Sequence, residues 1–170
     1  MDTMTKEQRR KCMQSIHSKD TRPEMVVRKF LFSHGYRYRL HVKTLPGHPD
    51  IVMRRWRTVI LVNGCFWHGH TDCPMFRMPR TNIEFWKAKI ERNRLRDMRD
   101  RLALRDMGWH VITLWECQLK PKVREENLQG LLYTLNKIAL DDMRHGEYQP
   151  YDYQEEDTIP MIAAEDEYGI

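Results

Sequence analysis

The chain has 170 residues, of which 31% are charged and 41% hydrophobic, with a formal net charge of +5 at pH 7. Its length suits a single domain with a buried core. It has no apolar run of about 18 residues, and its N-terminus lacks the apolar middle of a signal peptide, which excludes the membrane-spanning and secreted classes. A cytoplasmic bacterial enzyme is expected, in which cysteines serve metals or catalysis rather than disulfides.

The charge is distributed unevenly along the chain. Residues 1–140 hold 28 basic and 14 acidic side chains, whereas residues 141–170 hold one arginine and ten acids. Residues 1–140 therefore carry a net charge of +14, which favours a polyanionic partner. Lys and Arg gain affinity for such a partner by releasing counterions from its phosphates. A basic surface without a partner is the alternative. The sequence therefore predicts a domain over 1–140 and an acidic, poorly ordered extension over 141–170.

The N-terminal part of the chain predicts two helices. A basic helix is expected at about 5–18, with Thr5 as its cap. The second begins at "TRPE", where Thr21 can cap the helix and Pro23 suits its first turn, and Gly35 is expected to end it.

The middle of the chain predicts three strands. "YRYRLHV" (36–42) alternates like a strand, the loop "LPGHPD" leads into the strand "DIVM" (50–53), and a turn follows at 54–57. "TVILV" (58–62) is an unbroken apolar run that is typical of a buried strand.

The remaining elements complete an α/β pattern. A charged helix is expected from about 82 to 107, with Thr81 and Glu84 as its capping box and Gly108 as its stop. "WHVITLWE" (109–116) follows as a strand, and an amphipathic helix is expected near 125–140. This order predicts an α/β domain with helices packed on a central mixed sheet.

The stretch "NGCFWHGHTDC", residues 63–73, predicts a metal site. Cys65, His70 and Cys73 have a spacing that one loop can wrap around a tetrahedral ion, and Cys117, at a strand end, can supply the fourth ligand. Three thiolates and one imidazole are a preferred set for structural Zn²⁺. Free surface thiols are the alternative. His68 is then left for other work, such as proton transfer.

Two acidic residues are candidates for a second metal site. Asp50 begins a strand after a Gly/Pro loop, where a carboxylate can hold a divalent cation against a phosphate. The alternatives are structural: Asp50 can cap a turn, and Glu24 is the third residue of the helix that Thr21 caps. A catalytic role depends on their convergence with His68.

Five stretches of the chain resemble one family. They are "RRKCMQSIHSKDTRPE", "LPGHPDIVM", "VILVNGCFWHGH", "TNIEFWKAKIERNRLRDMRD" and "MGWHVITLWEC". From about residue 4 to about residue 120 the chain is similar to the very-short-patch-repair (Vsr) DNA mismatch endonucleases. The resemblance implies a restriction-endonuclease-like fold and an enzyme that uses Mg²⁺ to nick one DNA strand beside a T·G mismatch. Such mismatches arise when 5-methylcytosine deaminates, and the nick initiates very short patch repair.

The resemblance also implies roles for individual residues. Asp50 would bind Mg²⁺ beside the backbone carbonyl of Val62, His68 would be the general base, and Glu24 would act on the water shell of the metal. The structural zinc ligands would be Cys65, His70, Cys73 and Cys117. The DNA contacts would be Phe66, Trp67 and Trp86, which wedge into the base stack, and Met13 on the N-terminal clamping helix.

One position departs from the family pattern. Asn63 stands where family members can present an ionisable His or Asp, so it can hydrogen-bond a phosphate or a metal-bound water but cannot carry a proton. Two alternatives therefore stay open: a related nuclease with another DNA target, and a zinc-stabilised DNA-binding module without catalysis. The expected partner is double-stranded DNA with a T·G mismatch, and the family also suggests mismatch-repair proteins. A monomer is expected, since a single nick needs no second active site.

Overall fold

The computed structural model describes residues 7, 8, 10, 11 and 19–145. The four described residues near the N-terminus are helical. The rest of the predicted helix at 5–18, including Met13, lies outside the described residues, and so does the predicted acidic extension from residue 146 onward. Among the described helices, none has the length and apolar character that a membrane crossing requires.

Helix α1 spans Arg22–Ser33 and begins where the sequence predicts it. The Thr21 hydroxyl accepts a hydrogen bond from the backbone N–H of Glu24 at 3.4 Å. The chain leaves the helix at Gly35, whose φ of +82° is a left-handed conformation that glycine adopts without strain. The capping and stop signals at both ends of α1 are therefore confirmed.

A four-stranded mixed sheet forms the centre of the fold. Its strands are β1 (Arg39–Leu40), β2 (Ile51–Met53), β3 (Thr58–Asn63) and β4 (His110–Trp115), in the order β1-β2-β3-β4. The first two pairings are antiparallel and the third is parallel. The mixed sheet is confirmed, but β1 has only two residues rather than the predicted seven. It ends at His41 because that residue takes a left-handed φ of +47°, which turns the chain out of the ladder.

The parallel pairing of β3 with β4 requires a crossover, which helix α2 (Ile83–Asp106) supplies. The predicted bounds of α2 are close to the observed ones, but its predicted capping box is wrong. Asn82 is the N-cap, in a left-handed conformation with φ of +52°, and it makes no side-chain capping hydrogen bond. The turn at Asn82 leaves Thr81 outside the capping position.

Helices cover both faces of the sheet. One face packs against α1 and against α3 (Arg124–His145), which extends five residues beyond its predicted end. The other face packs against α2 through Leu104. Side chains of β2 alternate between the two cores, as a strand requires: Ile51 and Met53 belong to the first and Val52 to the second. The sheet is thus the middle of three layers.

Candidate active site and metal cluster

A cleft of ≈ 1030 Å³ lies where β2 begins and β3 ends. Antiparallel pairing brings the start of β2 next to the end of β3, and so the topology itself gathers the predicted residues. Those that line the cleft are Asp50, Val62, Asn63 and His68. Glu24 is buried, with 2% of its surface exposed, and faces this group from α1.

Asp50 is held by the backbone of β3. The Val62 N–H donates to Asp50 Oδ2 at 2.7 Å. The other carboxylate oxygen, Oδ1, takes no part in this hydrogen bond. In an antiparallel ladder the N–H and C=O of one residue face the same neighbour. The Val62 carbonyl therefore faces the side on which Asp50 lies. An oxygen-rich corner of this kind suits a hard divalent cation.

The environment of Asp50 disfavours the ionised form of its carboxyl group. Burial raises its pKa above the ordinary value, and the nearby charge of Glu24 adds to that effect. The hydrogen bond from Val62 and the nearby His41 and His68 lower the pKa, but they do not offset the rise. A cation bound beside Asp50 would favour the ionised form and remove this penalty.

The Glu24 side chain points toward Arg28 and His41 rather than toward Thr21, which caps its helix. Its Oε1 lies 3.5 Å from the Arg28 guanidinium and 3.2 Å from His41 Nε2. Neither Glu24 Oε1 nor His41 Nε2 meets the geometry of a hydrogen bond with any described residue. Sequence reasoning missed His41, because the alternating pattern of 36–42 assigned it to a strand.

His68 is oriented by a residue that the sequence did not single out. Its Nδ1 lies 2.5 Å from Asp97 Oδ2, on α2. A carboxylate is an acceptor, so Nδ1 carries the proton of this hydrogen bond and Nε2 is left to take one from water. Burial would raise the pKa of Asp97, but the hydrogen bond and charge of His68, together with Arg96, lower it below its usual value. Asp97 is thus a charged carboxylate that accepts the hydrogen bond from His68 Nδ1.

Asn63 is the last residue of β3, and 5% of its surface is exposed. Its Nδ2 finds no hydrogen-bond partner among the described residues. A buried amide without a partner costs free energy, of order 1–3 kcal/mol, so this donor suits a ligand group in the cleft.

The four predicted zinc ligands come together in the structure. The donor atoms of Cys65, His70, Cys73 and Cys117 all lie within 4.8 Å of one another. His70 Nδ1 is 3.6 Å from Cys65 Sγ and 3.5 Å from Cys117 Sγ. Tetrahedral zinc places its nitrogen and sulfur ligands about 3.6 Å apart, given the usual bond lengths. The cluster therefore has the dimensions of a closed, four-coordinate metal site.

The surroundings of the cluster fix its imidazole and disfavour uncompensated thiolates. The His70 ring stacks on Trp115, with centroids 4.0 Å apart and planes at 1°. Burial raises the pKa of Cys65 to about 12 and also raises that of Cys117. Burial opposes ionisation of Cys73 as well, but hydrogen bonds, first with the Met75 backbone, lower its pKa. A bound cation would supply the compensation that three thiolates need.

Gly69 separates the two sites. Its φ is +58°, and a Cβ there would lie 2.7 Å from Ile90 Cγ2 and 3.0 Å from Arg94 Cδ. Only glycine lets the loop rest this closely on α2 in this conformation. The close contact allows His68 to reach Asp97 while His70 joins the cysteines.

The aromatic residues of the loop form a cluster with α2. Phe66 lies 5.1 Å from Trp67 and 5.3 Å from Trp86, in edge-to-face contacts. The three rings are half-buried because they pack on one another. Lys89 lies 5.7 Å over the Trp67 ring. Cations also line the neighbouring cleft: Lys19, Lys43, Lys89, Arg96 and Arg99.

Comparison with known sequences finds a family match for this chain. A sequence model of the family described as "DNA mismatch endonuclease Vsr" matches residues 1–74. That range holds Glu24, Asp50, His68 and the first three cysteine-cluster ligands, whereas Trp86, Asp97 and Cys117 lie beyond it.

Three bacterial relatives extend the match. The chain is 50% identical over 118 residues to the type II nicking enzyme V.XorIIP of Xanthomonas oryzae, covering 69% of this chain and 86% of the relative. It is 46% identical over 132 residues to V.NmeAIP of Neisseria meningitidis, covering 77% and 94%. It is 41% identical over 119 residues to the DNA mismatch endonuclease Vsr of Escherichia coli, covering 70% and 76%. The chain therefore belongs to the Vsr family of DNA mismatch endonucleases, and it is a DNA endonuclease.

Proposed function

We propose that this protein nicks one strand of duplex DNA beside a T·G mismatch in a reaction that depends on Mg²⁺. The observation that carries the proposal is the convergence of Asp50, the Val62 backbone and the His68–Asp97 pair in one basic cleft. The E. coli relative is named a mismatch endonuclease, which favours a mismatch as the target. A restriction-endonuclease-like arrangement of the sheet is part of the same proposal.

Mg²⁺ would be held by Asp50 Oδ1 and the Val62 carbonyl. Both are oxygen donors, and burial raises the pKa of Asp50, a penalty on its charged form that a bound cation would relieve. When bound, Mg²⁺ would polarise the scissile phosphate and stabilise the departing oxygen. Glu24, buried on α1, would act on the water shell of the ion.

The His68–Asp97 pair would perform the proton transfer. His68 Nε2 accepts a proton from the attacking water, and Asp97 stabilises the imidazolium that forms at Nδ1. Asn63 would donate its unpartnered Nδ2–H to a phosphate oxygen, a role that needs no ionisation. The presence of an oriented base argues against a DNA-binding module that has lost catalysis.

The aromatic cluster would test the stability of the base stack. Phe66, Trp67 and Trp86 lie together beside the basic cleft, where Lys89 and its neighbours can fix the phosphates. Separating two base pairs costs a few kcal/mol, and a wobble pair lowers that cost. Wedging side chains therefore favour a mismatched step over a matched one.

We further propose that the cysteine cluster binds a structural Zn²⁺. Three sulfurs and one nitrogen leave no open position for chemistry. The ion would fix the loop that carries His68 to the end of β4, where Cys117 lies.

The deciding experiment is a nicking assay with Mg²⁺ on labelled duplexes that hold one T·G mismatch, beside the matched C·G duplex. We expect a cut in the T strand of the mismatched duplex only. Some relatives are named type II nicking enzymes without mention of a mismatch, so equal cutting of both duplexes would favour a nuclease with another target. Tight binding without any cut would favour the DNA-binding module.

Asp97→Asn tests the proton-transfer pair. The amide keeps the shape of the side chain but removes the charge that stabilises the imidazolium. We therefore expect nicking to slow by about 100-fold, with the affinity for DNA unchanged. Asp106→Asn, at the C-terminal end of α2, is the matched control and should nick at the wild-type rate. Equal rates for the two variants would remove Asp97 from the site.

A further inference from the structure

His41 contacts both candidate carboxylates at once. Its backbone N–H donates to the Asp50 carbonyl at 3.3 Å, as the ladder between β1 and β2 continues by one residue. Its ring lies between the side chains: Nε2 is 3.2 Å from Glu24 Oε1, and Nδ1 is 4.0 Å from Asp50 Oδ1. One imidazole thus spans the gap between a residue of α1 and a residue at the start of β2.

The gap that His41 spans is buried and incompletely hydrogen-bonded. Glu24 has 2% of its side chain exposed and His41 has 18%. Glu24 Oε1 and His41 Nε2 approach each other without hydrogen-bond geometry, and neither forms a hydrogen bond with another described residue, although Arg28 forms an ion pair with Glu24 Oε1 at 3.5 Å. Unsatisfied groups of this kind are rare in folded proteins and call for a functional explanation.

The backbone at His41 is in an unfavourable conformation. Its φ of +47° lies in the left-handed region, which few residues other than glycine occupy, although Asn, Asp and His do so more often than the rest. Such strain persists where the surrounding structure imposes it, and it concentrates at functional sites. Here the left-handed turn ends β1 and brings the imidazole to Glu24 and Asp50.

We propose that His41 is a positioning residue, whose imidazole holds Glu24 and Asp50 at the separation that a divalent cation requires. Two buried carboxylates at close range repel each other, and an imidazole packed between them, with one ring nitrogen facing each carboxylate, limits how far either can move. Arg28 does not serve this purpose, because it pairs with Asp20 at 2.5 Å and lies at 3.5 Å from Glu24 alone. This inference rests on the proposed cation-dependent nicking.

The test is a titration of the zinc-loaded protein with Mn²⁺ in the absence of DNA. Electron paramagnetic resonance measures the bound Mn²⁺. The signal that Asp50→Ala abolishes defines the site. His41→Gly removes the imidazole and relieves the backbone strain, so we expect about tenfold weaker Mn²⁺ binding in a protein that melts no lower than the wild type. If His41 served stability alone, His41→Gly would bind Mn²⁺ like the wild type and would melt at a lower temperature.

Matched variants separate the ring from the backbone. His48 has the same left-handed conformation, with φ of +49°, and an exposed side chain. His48→Gly should bind Mn²⁺ like the wild type. His41→Gln and His41→Leu retain the strain, and only glutamine offers an N–H group to Glu24, so glutamine should bind Mn²⁺ more tightly than leucine.

The outcomes distinguish this inference from the proposed function. Unchanged Mn²⁺ affinity in His41→Gly, equal affinity in the Gln and Leu variants, or no binding by the wild type would overturn the role of His41. If the wild type nicks the T·G duplex while any of these holds, the proposed function stands without it. If His41→Gly weakens Mn²⁺ binding but the wild type cuts no duplex, His41 retains its role and the proposed function fails.

Discussion

Replacing Asp50 with alanine is expected to slow nicking of a T·G duplex by about 10³-fold or more. A Lewis acid supplies several kcal/mol of transition-state stabilisation, and each 1.4 kcal/mol or so is about a factor of ten in rate. The affinity for DNA should stay within about threefold, because it depends mainly on Lys and Arg contacts with phosphates. Single-turnover nicking and a filter-binding titration measure the two quantities. A variant that still cuts at the wild-type rate would show that Asp50 holds no catalytic metal.

Asp50→Asn is the matched control for folding. The amide oxygen can still accept the hydrogen bond from Val62, while the charge is lost. Because the pKa of Asp50 is raised in the folded protein, its protonated form is favoured there, and the ionised form destabilises the fold as the pH rises through that pKa. Metal-free Asp50→Asn should therefore melt no lower than the wild type at pH 4 and higher at pH 8. A lower melting temperature at pH 8 would assign Asp50 a stabilising role.

Cys117→Ser is expected to cause the largest loss of stability. The proposed ion closes a loop of about 50 residues between Cys65 and Cys117. By the chain-entropy relation for a cross-link of that length, it stabilises the fold by about 4 kcal/mol. For a chain of this size the melting temperature should fall by about 8–16 °C. Elemental analysis should find about one zinc per wild-type chain and much less in the variant.

The remaining cysteine provides the control for this experiment. Cys12→Ser removes a thiol that belongs to no predicted site, and both zinc content and melting temperature should match the wild type. A loss of zinc in Cys12→Ser, or full zinc retention in Cys117→Ser, would contradict the ligand set. Chelation of the wild-type protein should reproduce the melting temperature of Cys117→Ser, which separates the loss of the ion from the effect of the substitution itself.

Local signals in the sequence predicted the elements whose ends are set by neighbouring residues. Thr21 and Gly35 define α1 because capping depends on a few adjacent side chains. The length of β1 could not be predicted in the same way. The alternation of 36–42 fits a strand, and only the tertiary contacts of His41 impose the left-handed turn that ends it. At α2, the sequence predicted Thr81 as the cap, but the left-handed turn at Asn82 places Asn82 in that position.

The candidate site was predictable where its residues are clustered in sequence. Cys65, His70 and Cys73 lie within one loop, so their spacing alone predicted a metal cluster, and the structure brings Cys117 to them. His41 and Asp97 were missed because each acts on a residue that is far away in the chain. Asp97 belongs to a run of alternating charges on α2, where nothing in the sequence separates a partner of His68 from a solvated carboxylate.

The order of pairing in the sheet has a consequence for folding. Strands β1, β2 and β3 pair through short connections, whereas the pairing of β4 with β3 must wait for the whole α2 crossover. Asp50 and Glu24 lie in the first half of the chain, but the partner of His68 and the fourth ligand of the cluster arrive with α2 and β4. A chain that is still being synthesised, or one cut before residue 117, therefore lacks a finished centre. By the proposed mechanism, nicking therefore requires that the last strand has docked on the sheet.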